Sequence, residues 1–410
     1  MSRLHLSVLV FLCLAVTGRY AFAGELRITP KMSAGTEYSD NVEERRNGKG
    51  DFILSATPGA EVTYDSSRLE FSAKGSMEFR EYAKGVKDSE TLGQLDARMK
   101  LEALKNFMFF EVSDSYAQVY SDAARGEVQE GDNSSGDVTD RNRFTFSPYV
   151  ETDLLKRTRL KSGYQYDRYD YSADASTGKA IHMLFGNVEH ELTDRWNAET
   201  RLSYAHHNPD KGDPWLDVYK LLLGTSYEYA EDSKVFLLAG PSHMIREGGG
   251  SSSDPSWEAG VKHALEKGMA LSLTTSRDLE EDAESSTPRD RIRHTVRFDH
   301  ELKRATWYAQ VSYGDYENGN SAARTAVWSP GVGTTYQLTE RLMLSGGLSS
   351  TMEDAPGDNT TRFYGNAGLR YQLSETFAGR LMYRYKLVDT GGSSDDYQVN
   401  RLGLYLDASF

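Results

Sequence analysis

A single cysteine in 410 residues excludes a disulfide-stapled scaffold. Proline is scarce, ten residues against 25 tyrosines, a balance suited to a chain rich in strands. Basic residues are in deficit: 47 Lys and Arg face 61 Asp and Glu, and a formal charge of −14 repels phosphate, which argues against a nucleic-acid partner. Long apolar runs are missing beyond the N-terminus and the mean hydropathy is −0.60, so no bundle of membrane helices is encoded. Length alone would suggest about two or three soluble domains, but the patterning points to one closed sheet.

The N-terminus reads as an address. Arg3 supplies a positive start, Leu6 to Val16 an apolar stretch, and Ala21-Phe22-Ala23 a small-x-small cleavage pattern. Residues 1–23 are therefore expected to be a secretory signal peptide and residues 24–410 the exported chain. Cys13 lies inside the apolar run without the small residue that precedes a lipoprotein cysteine, so the exported chain has no cysteine. Loss of Arg3 and Arg19 takes its charge to about −16.

Short polar turns then recur about every 35–40 residues, the length of two strands and two connections. They include Asp65 to Arg68, Leu104 to Asn106, Leu192 to Arg195, Glu266 to Gly268 and Leu338 to Arg341. Between them fall longer polar connections: Asp40 to Gly50, Asn208 to Pro214, Glu247 to Asp254, Glu280 to Asp290, Glu317 to Asn320, Glu353 to Asp358 and Asp389 to Asp396. One interval is stretched by an acidic, Gly/Ser-rich insert from Ser121 to Asp140. Strict alternation of short and long connections is the asymmetry of a transmembrane β-barrel, with short periplasmic turns and longer extracellular loops. Nine short turns with both termini on the turn side predict an all-β, single antiparallel barrel of about 20 strands, or 18 if one hairpin is miscounted. A β-propeller would need four strands per period, and the sequence offers two.

The strands alternate with period two. From Arg68 to Arg80, Leu69, Phe71, Ala73, Met77 and Phe79 share one face, and Glu70, Lys74, Glu78 and Arg80 the other. From Phe377 to Leu387 an apolar set opposes Arg380, Arg384 and Lys386. The last strand places Leu402, Leu404, Leu406 and the terminal Phe410 on one face, with Arg401 opposite. A terminal aromatic on such a strand is the expected signal for the barrel insertion machinery of the outer membrane of a Gram-negative bacterium. Outer-membrane lipid and lipopolysaccharide are then the surroundings, and Trp196, Tyr227, Tyr229, Trp257 and Trp328 are candidates for interfacial girdles.

A barrel this wide cannot be filled by its own side chains, so a channel or a plugged lumen follows. The expected lumen-lining residues are Glu70, Lys74, Glu78, Arg80, Lys161, Glu199, Arg201, Arg370, Arg380, Arg384, Lys386 and Arg401, with Glu151 and Asp153 beside them. The C-terminal strands are the more basic; a basic stripe would favour anionic solutes, and simple solvation with cross-strand pairing is the alternative. Tyr149, Tyr169, Tyr308 and Tyr364 fall on the same faces and could stack on sugar rings.

Chemistry is sparse. His206 and His207, with Asp210 and Asp213, form the best cluster, but adjacent strand residues point to opposite faces and a solvated loop edge is the expectation. His182 and His190 match no zinc spacing. The acidic stretches Glu127 to Asp140 and Asp278 to Glu284 lack a calcium-loop register and read as solvated charge. With no nucleophile elbow and no phosphate-cradling loop, no enzyme, metal or cofactor is expected.

One segment carries a resemblance. Ile28 to Val42 ends in Tyr38-Ser-Asp40-Asn41-Val42 and is followed by Asp51 to Gly59, a Tyr64…Arg68-Leu69 turn and Tyr82. This resembles the outer-membrane β-barrel proteins found beside exosortase (PEP-CTERM) and exopolysaccharide gene clusters, and is similar to the broader β-barrel porin type 2 group. The resemblance implies a passive conduit for secreted polysaccharide, working with a periplasmic polysaccharide export protein. A general diffusion porin, or a structural barrel whose acidic loops bind surface polymer, are the alternatives. Tyr38, Asp40 and Asn41 are expected to shape the first loop rather than bind substrate, because Asx residues favour turns.

Overall fold

The structure, a computed structural model, describes residues 24–125, 128, 138–174, 176–283, 285, 287–317, 324–391 and 395–410. The expected leader (1–23), most of the acidic insert after Arg125, and residues 318–320 and 392–394 of the expected loops lie outside the described residues. Twenty strands run in chain order: β1 (Gly24–Ser39), β2 (Asp51–Ser66), β3 (Leu69–Tyr82), β4 (Glu90–Leu104), β5 (Met108–Tyr120), β6 (Val138–Leu155) and β7 (Thr158–Tyr171). They continue as β8 (Lys179–Thr193), β9 (Trp196–Pro209), β10 (Leu216–Ala230), β11 (Ser233–Arg246), β12 (Ser251–Glu266), β13 (Met269–Glu280) and β14 (Arg289–Glu301). The last six are β15 (Ala305–Glu317), β16 (Arg324–Gln337), β17 (Leu342–Ala355), β18 (Asp358–Gln372), β19 (Phe377–Asp389) and β20 (Tyr397–Ser409).

Each strand pairs antiparallel with its sequence neighbours, and β1 closes the sheet on β20 from Lys31↔Ser409 to Ser39↔Arg401. The terminal Phe410 donates its N–H to Pro30 O at 3.0 Å, extending the seam by one bond. Nine connections of two to four residues lie on one rim, at the expected turns, and the longer ones on the other. Two expected loops are shorter than their composition suggests. Glu353 to Asp358 contracts to Pro356-Gly357, because the ladder runs up to Ala355↔Asp358 and Gly357 takes the left-handed φ of +87° that closes a two-residue hairpin. Likewise Ser251 to Asp254 belongs to β12, paired with Ser242 to Ile245.

Seven of the ten prolines sit inside strands. Lacking an N–H, they cost ladder bonds rather than register. Pairing lapses around Pro58, Pro148 and Pro330, then resumes in step, as in Ala56↔Phe79 followed by Gly59↔Ser76.

The two faces separate as the alternation predicts. On β20, Leu402, Leu404 and Leu406 are exposed on the outer wall, while Val399 and Arg401 are buried inside. Across the molecule exposed large apolar side chains outnumber buried ones, which is tolerable only for a surface that meets lipid. Aromatic pairs mark both edges of that surface: Tyr38–Phe52, Tyr204–Tyr219 and Tyr313–Trp328 toward the loop rim, Trp196–Tyr227, Phe298–Trp307 and Phe377–Phe410 toward the turn rim. Trp257 is not among them; it sits mid-strand, half-buried, its indole donating to Thr275 at 3.0 Å.

The outer wall generates a prediction. Leu404 lies near the middle of β20, so Leu404→Arg should destabilise the folded barrel by about 2–4 kcal/mol, whereas Ser329→Arg on the inner face of β16 should cost under about 1 kcal/mol. Reversible unfolding in lipid vesicles measures both, and equal costs would contradict the assigned faces.

Candidate functional site: the lumen and its mouth

Closure decides where the inner charges go. Glu37 on β1 accepts from Arg384 Nη1 at 2.7 Å and from the Tyr405 hydroxyl at 2.9 Å. Glu44, in the β1–β2 connection, folds inward to Lys386 at 2.8 Å and Arg401 at 2.6 Å. Asp407 holds Arg370 at 2.6 Å and Arg380 at 3.4 Å. All five basic residues expected to form a stripe on the C-terminal strands are therefore matched by carboxylates, and the expected bias toward anions is largely cancelled there. Tyr405 packs flat against Gly35 and Gly403, where any Cβ would collide with its ring.

The other expected residues disperse. Arg80 pairs with Glu78 at 2.8 Å and with Glu90. Arg201 bridges Glu199 at 2.5 Å and Glu258 at 2.9 Å. Lys161 lies 4.0 Å over the Tyr149 ring. Lys74 borders a cavity of about 1030 Å³ with Lys31, Arg370 and Arg380; Glu70 is exposed at the turn-rim start of β3. The four tyrosines expected as sugar platforms each carry a cation over the ring: Lys161 on Tyr149, Arg143 on Tyr169, Arg297 on Tyr308 and Lys386 on Tyr364. A cation thus covers one face of each ring, and Tyr149 and Tyr169 are buried as well.

In the first loop, Asn41 donates to Arg45 O and Gln398 O at 2.8 and 3.1 Å, and Asp40 accepts from the Asn400 backbone and side chain at 2.7 Å. Both tie the loop to β20. Tyr38 instead lies on the outer face against Phe52, 41% exposed.

Inward-folded segments occupy the loop rim. After β5 the chain makes a short 3₁₀ turn, Ala123–Arg125, that packs Ala124 against Tyr316 and Val327 on β15 and β16. Asp122 meets Arg289 at 2.9 Å, and Arg289 also pairs with Asp282 of the β13–β14 connection. From β8, the fully buried Lys179 donates to the carbonyls of Asp282 and Ser285 at 3.1 and 3.0 Å and sits 2.8 Å from the Glu281 carboxylate. His207 of β9 places Nδ1 3.3 Å from Glu281. Arg291 holds Asp278 and Glu280 at 3.2 and 2.5 Å.

The acidic stretch from Asp278 is therefore not solvated charge; Asp282 is completely buried. Nor is His207 a solvated edge, although His206 does face the other way, bonded to Asp217 at 2.7 Å. Burial opposes ionisation of Glu281, but the close approach of His207 and the Lys179 charge outweigh it and hold the carboxyl down at about 2. Partners so far apart in sequence carry no local signal, which is why composition alone read them as loop. Among the described residues no group of three or more His, Cys, Asp or Glu is placed to hold a metal.

On the turn rim a vestibule of about 1240 Å³ opens between the turns after β10 and β12 and the inner faces of β14 to β18. A further space of about 770 Å³ is bordered by Lys161, Arg201 and Glu258. The largest of these spaces thus lies toward the turn rim, a smaller one of about 480 Å³ sits beside Glu37, Arg80 and Arg384, and ion pairs join segments across the loop rim.

No known family model matches the chain, and no curated protein matches it in sequence. Solved structures do match in shape. The FrpB iron transporter from Neisseria meningitidis aligns with a TM-score of 0.54 at 8% identity, over 93% of this chain and 82% of that one. The siderophore receptor PirA from Pseudomonas aeruginosa aligns at 0.51 and 11% identity, over 94% and 80%. The copper transporter OprC aligns at 0.52 and 10% identity, over 94% and 81%. At such identities the likeness is one of fold. It agrees with the closed sheet, the apolar outer wall and the girdles: this is a β-barrel protein of the Gram-negative outer membrane.

Two predictions follow from the buried ions at the mouth. Lys179→Met leaves Glu281 without its cation, which should weaken the latched arrangement by about 3–5 kcal/mol. The readout is amide exchange of Thr177, whose N–H is held by Ala283 O; unchanged exchange would refute the latch. The second concerns pH. A carboxyl held below its ordinary 4.5 stabilises the latch fully above that value, and the contribution is lost as pH falls toward about 2. Thr177 exchange should show this acid-induced loosening, and Glu281→Gln should abolish its pH dependence.

Proposed function

We propose that the protein is a gated outer-membrane conduit for export of exopolysaccharide, supplied from the periplasm by a polysaccharide export protein, and not an enzyme. The observation that carries the reading is the polarity of the interior along the barrel axis. A roomy vestibule faces the turn rim, and inward-folded segments held by buried ion pairs cross the loop rim. A conduit that admits cargo from the periplasm and stays shut toward the outside needs this arrangement. The N-terminal motif around Tyr38, Asp40 and Asn41 supports the choice of polymer through its family resemblance.

A second reading, a sieve for small solutes, is favoured by one feature: Asp122 to Arg125, just after β5, lie inside the barrel, with Asp122 on Arg289 and Ala124 on Tyr316 and Val327. Deleting the gene in a polysaccharide-producing strain separates the two. The conduit predicts polymer trapped in the periplasm and restored surface polymer on complementation. Normal surface polymer together with reduced uptake of small solutes would support the sieve and sink the export reading.

A further inference from the structure

The inner wall is not uniformly charged. Its rungs across β15 to β18 follow from the pairing register. One rung is Thr306, Thr335, Ser345 and Gly368; the next is Tyr308, Gly333, Gly347 and Asn366. The third is Gln310, Gly331, Ser349 and Tyr364. None of these twelve positions carries a formal charge. Ionic pairs bracket the sector instead: Arg362 on Glu353 at 2.9 Å toward the mouth, and Arg370 on Asp407 at 2.6 Å toward the turn rim. Equivalent depths on the neighbouring seam are crowded with ions, among them Glu37, Arg384, Arg380 and Asp407.

What the sector presents is hydrogen-bonding capacity. Thr306 and Thr335 share their hydroxyls at 2.6 Å, the Asn366 amide lies beside Gly347, and the Gln310 carbonyl accepts from Arg297 at 2.9 Å. The vestibule abuts this wall at its turn-rim end, bordered there by Tyr308, Thr335, Ser345 and Asn366, and elsewhere by charged residues that include Lys262, Arg297 and Asp299. Tyr308 lies under Arg297 and against Gly333, so the wall contributes hydroxyl and amide edges rather than a stacking platform.

We infer that this sector is the track along which cargo moves, and that the cargo is an uncharged polysaccharide. The inference rests on the conduit reading and names its substrate class. Neutral sugars exchange water hydrogen bonds for hydroxyl and amide bonds at nearly even free energy, so each contact is weak and many are available. Passage needs that balance: affinity sufficient for entry, spread over sites weak enough to leave. An acidic polymer would be drawn to the ion-lined seam and held there, because charge-assisted bonds are about twice as strong as neutral ones.

The test measures binding of two probes to the full chain in detergent by titration calorimetry: an uncharged α-glucan oligomer and a polyuronate oligomer of equal length. The neutral oligomer should bind at least about ten-fold more tightly. Gly331→Asp and Ser345→Asp place a carboxylate on the track. The first is sterically tolerated, since a Cβ at Gly331 meets nothing nearer than 3.7 Å. Each should weaken neutral-glycan binding about ten-fold, whereas Lys105→Glu, exposed on the turn between β4 and β5, should not. Tighter binding of the polyuronate, binding of neither oligomer, or indifference to both aspartates overturns the track. The deletion strain judges the conduit separately: polymer trapped in the periplasm alongside polyuronate preference would keep the conduit and reject an uncharged cargo.

Discussion

Lipid offers no partner to a backbone N–H or C=O, and that constraint governs this molecule. A sheet can meet it only by having no edge. The pairing of β1 with β20, extended by the bond from Phe410 N to Pro30 O, is therefore the interaction on which everything else depends. Without it two strands would expose unpaired ladders to hydrocarbon. The strand prolines show how far the rule bends: each forfeits a donor, yet the register on either side is kept, so no edge opens.

Closure also fixes the chemistry of the interior. It brings the first strand and its loop against the last two, which is how Glu37 and Glu44 come to neutralise Arg384, Lys386 and Arg401. Inner charges gathered this way face a wet lumen but are themselves largely buried. Their value lies less in net stability than in the geometry they impose, since desolvation offsets much of the Coulomb attraction.

The fold was legible because its signals are local. Nine short turns and period-two alternation can each be read within a dozen residues, and the turns at Asn106, Asp232 and Gly268 carry the positive φ that tight reversals require. The interior was legible only in part. Parity assigned Arg380, Arg384 and Arg401 to the inner face, and the same parity on β1 would have found Glu37. Nothing local announces that Lys179, His207, Glu281 and Asp282 meet, because their contacts join strands and loops up to 106 residues apart. The Pro-Gly at 356–357 misled for the converse reason: its composition signals a loop, but two residues suffice when Gly357 is left-handed.

The choice of ions rather than apolar side chains to tie the mouth has a physical consequence. An apolar plug of equal size would gain about 25 cal/mol for each Å² it buried and would leave only at that cost. Ion pairs such as Lys179–Glu281 and Arg289–Asp282 lose their attraction when the segment moves, but regain hydration from the water that enters. The closed and open states therefore lie closer in free energy than apolar packing would allow, and a ligand with modest preference for one can shift the balance. The small apolar contact of Ala124 with Tyr316 and Val327 positions the inner segment without dominating it. For the gated conduit proposed here, such partners suit opening better than a core would.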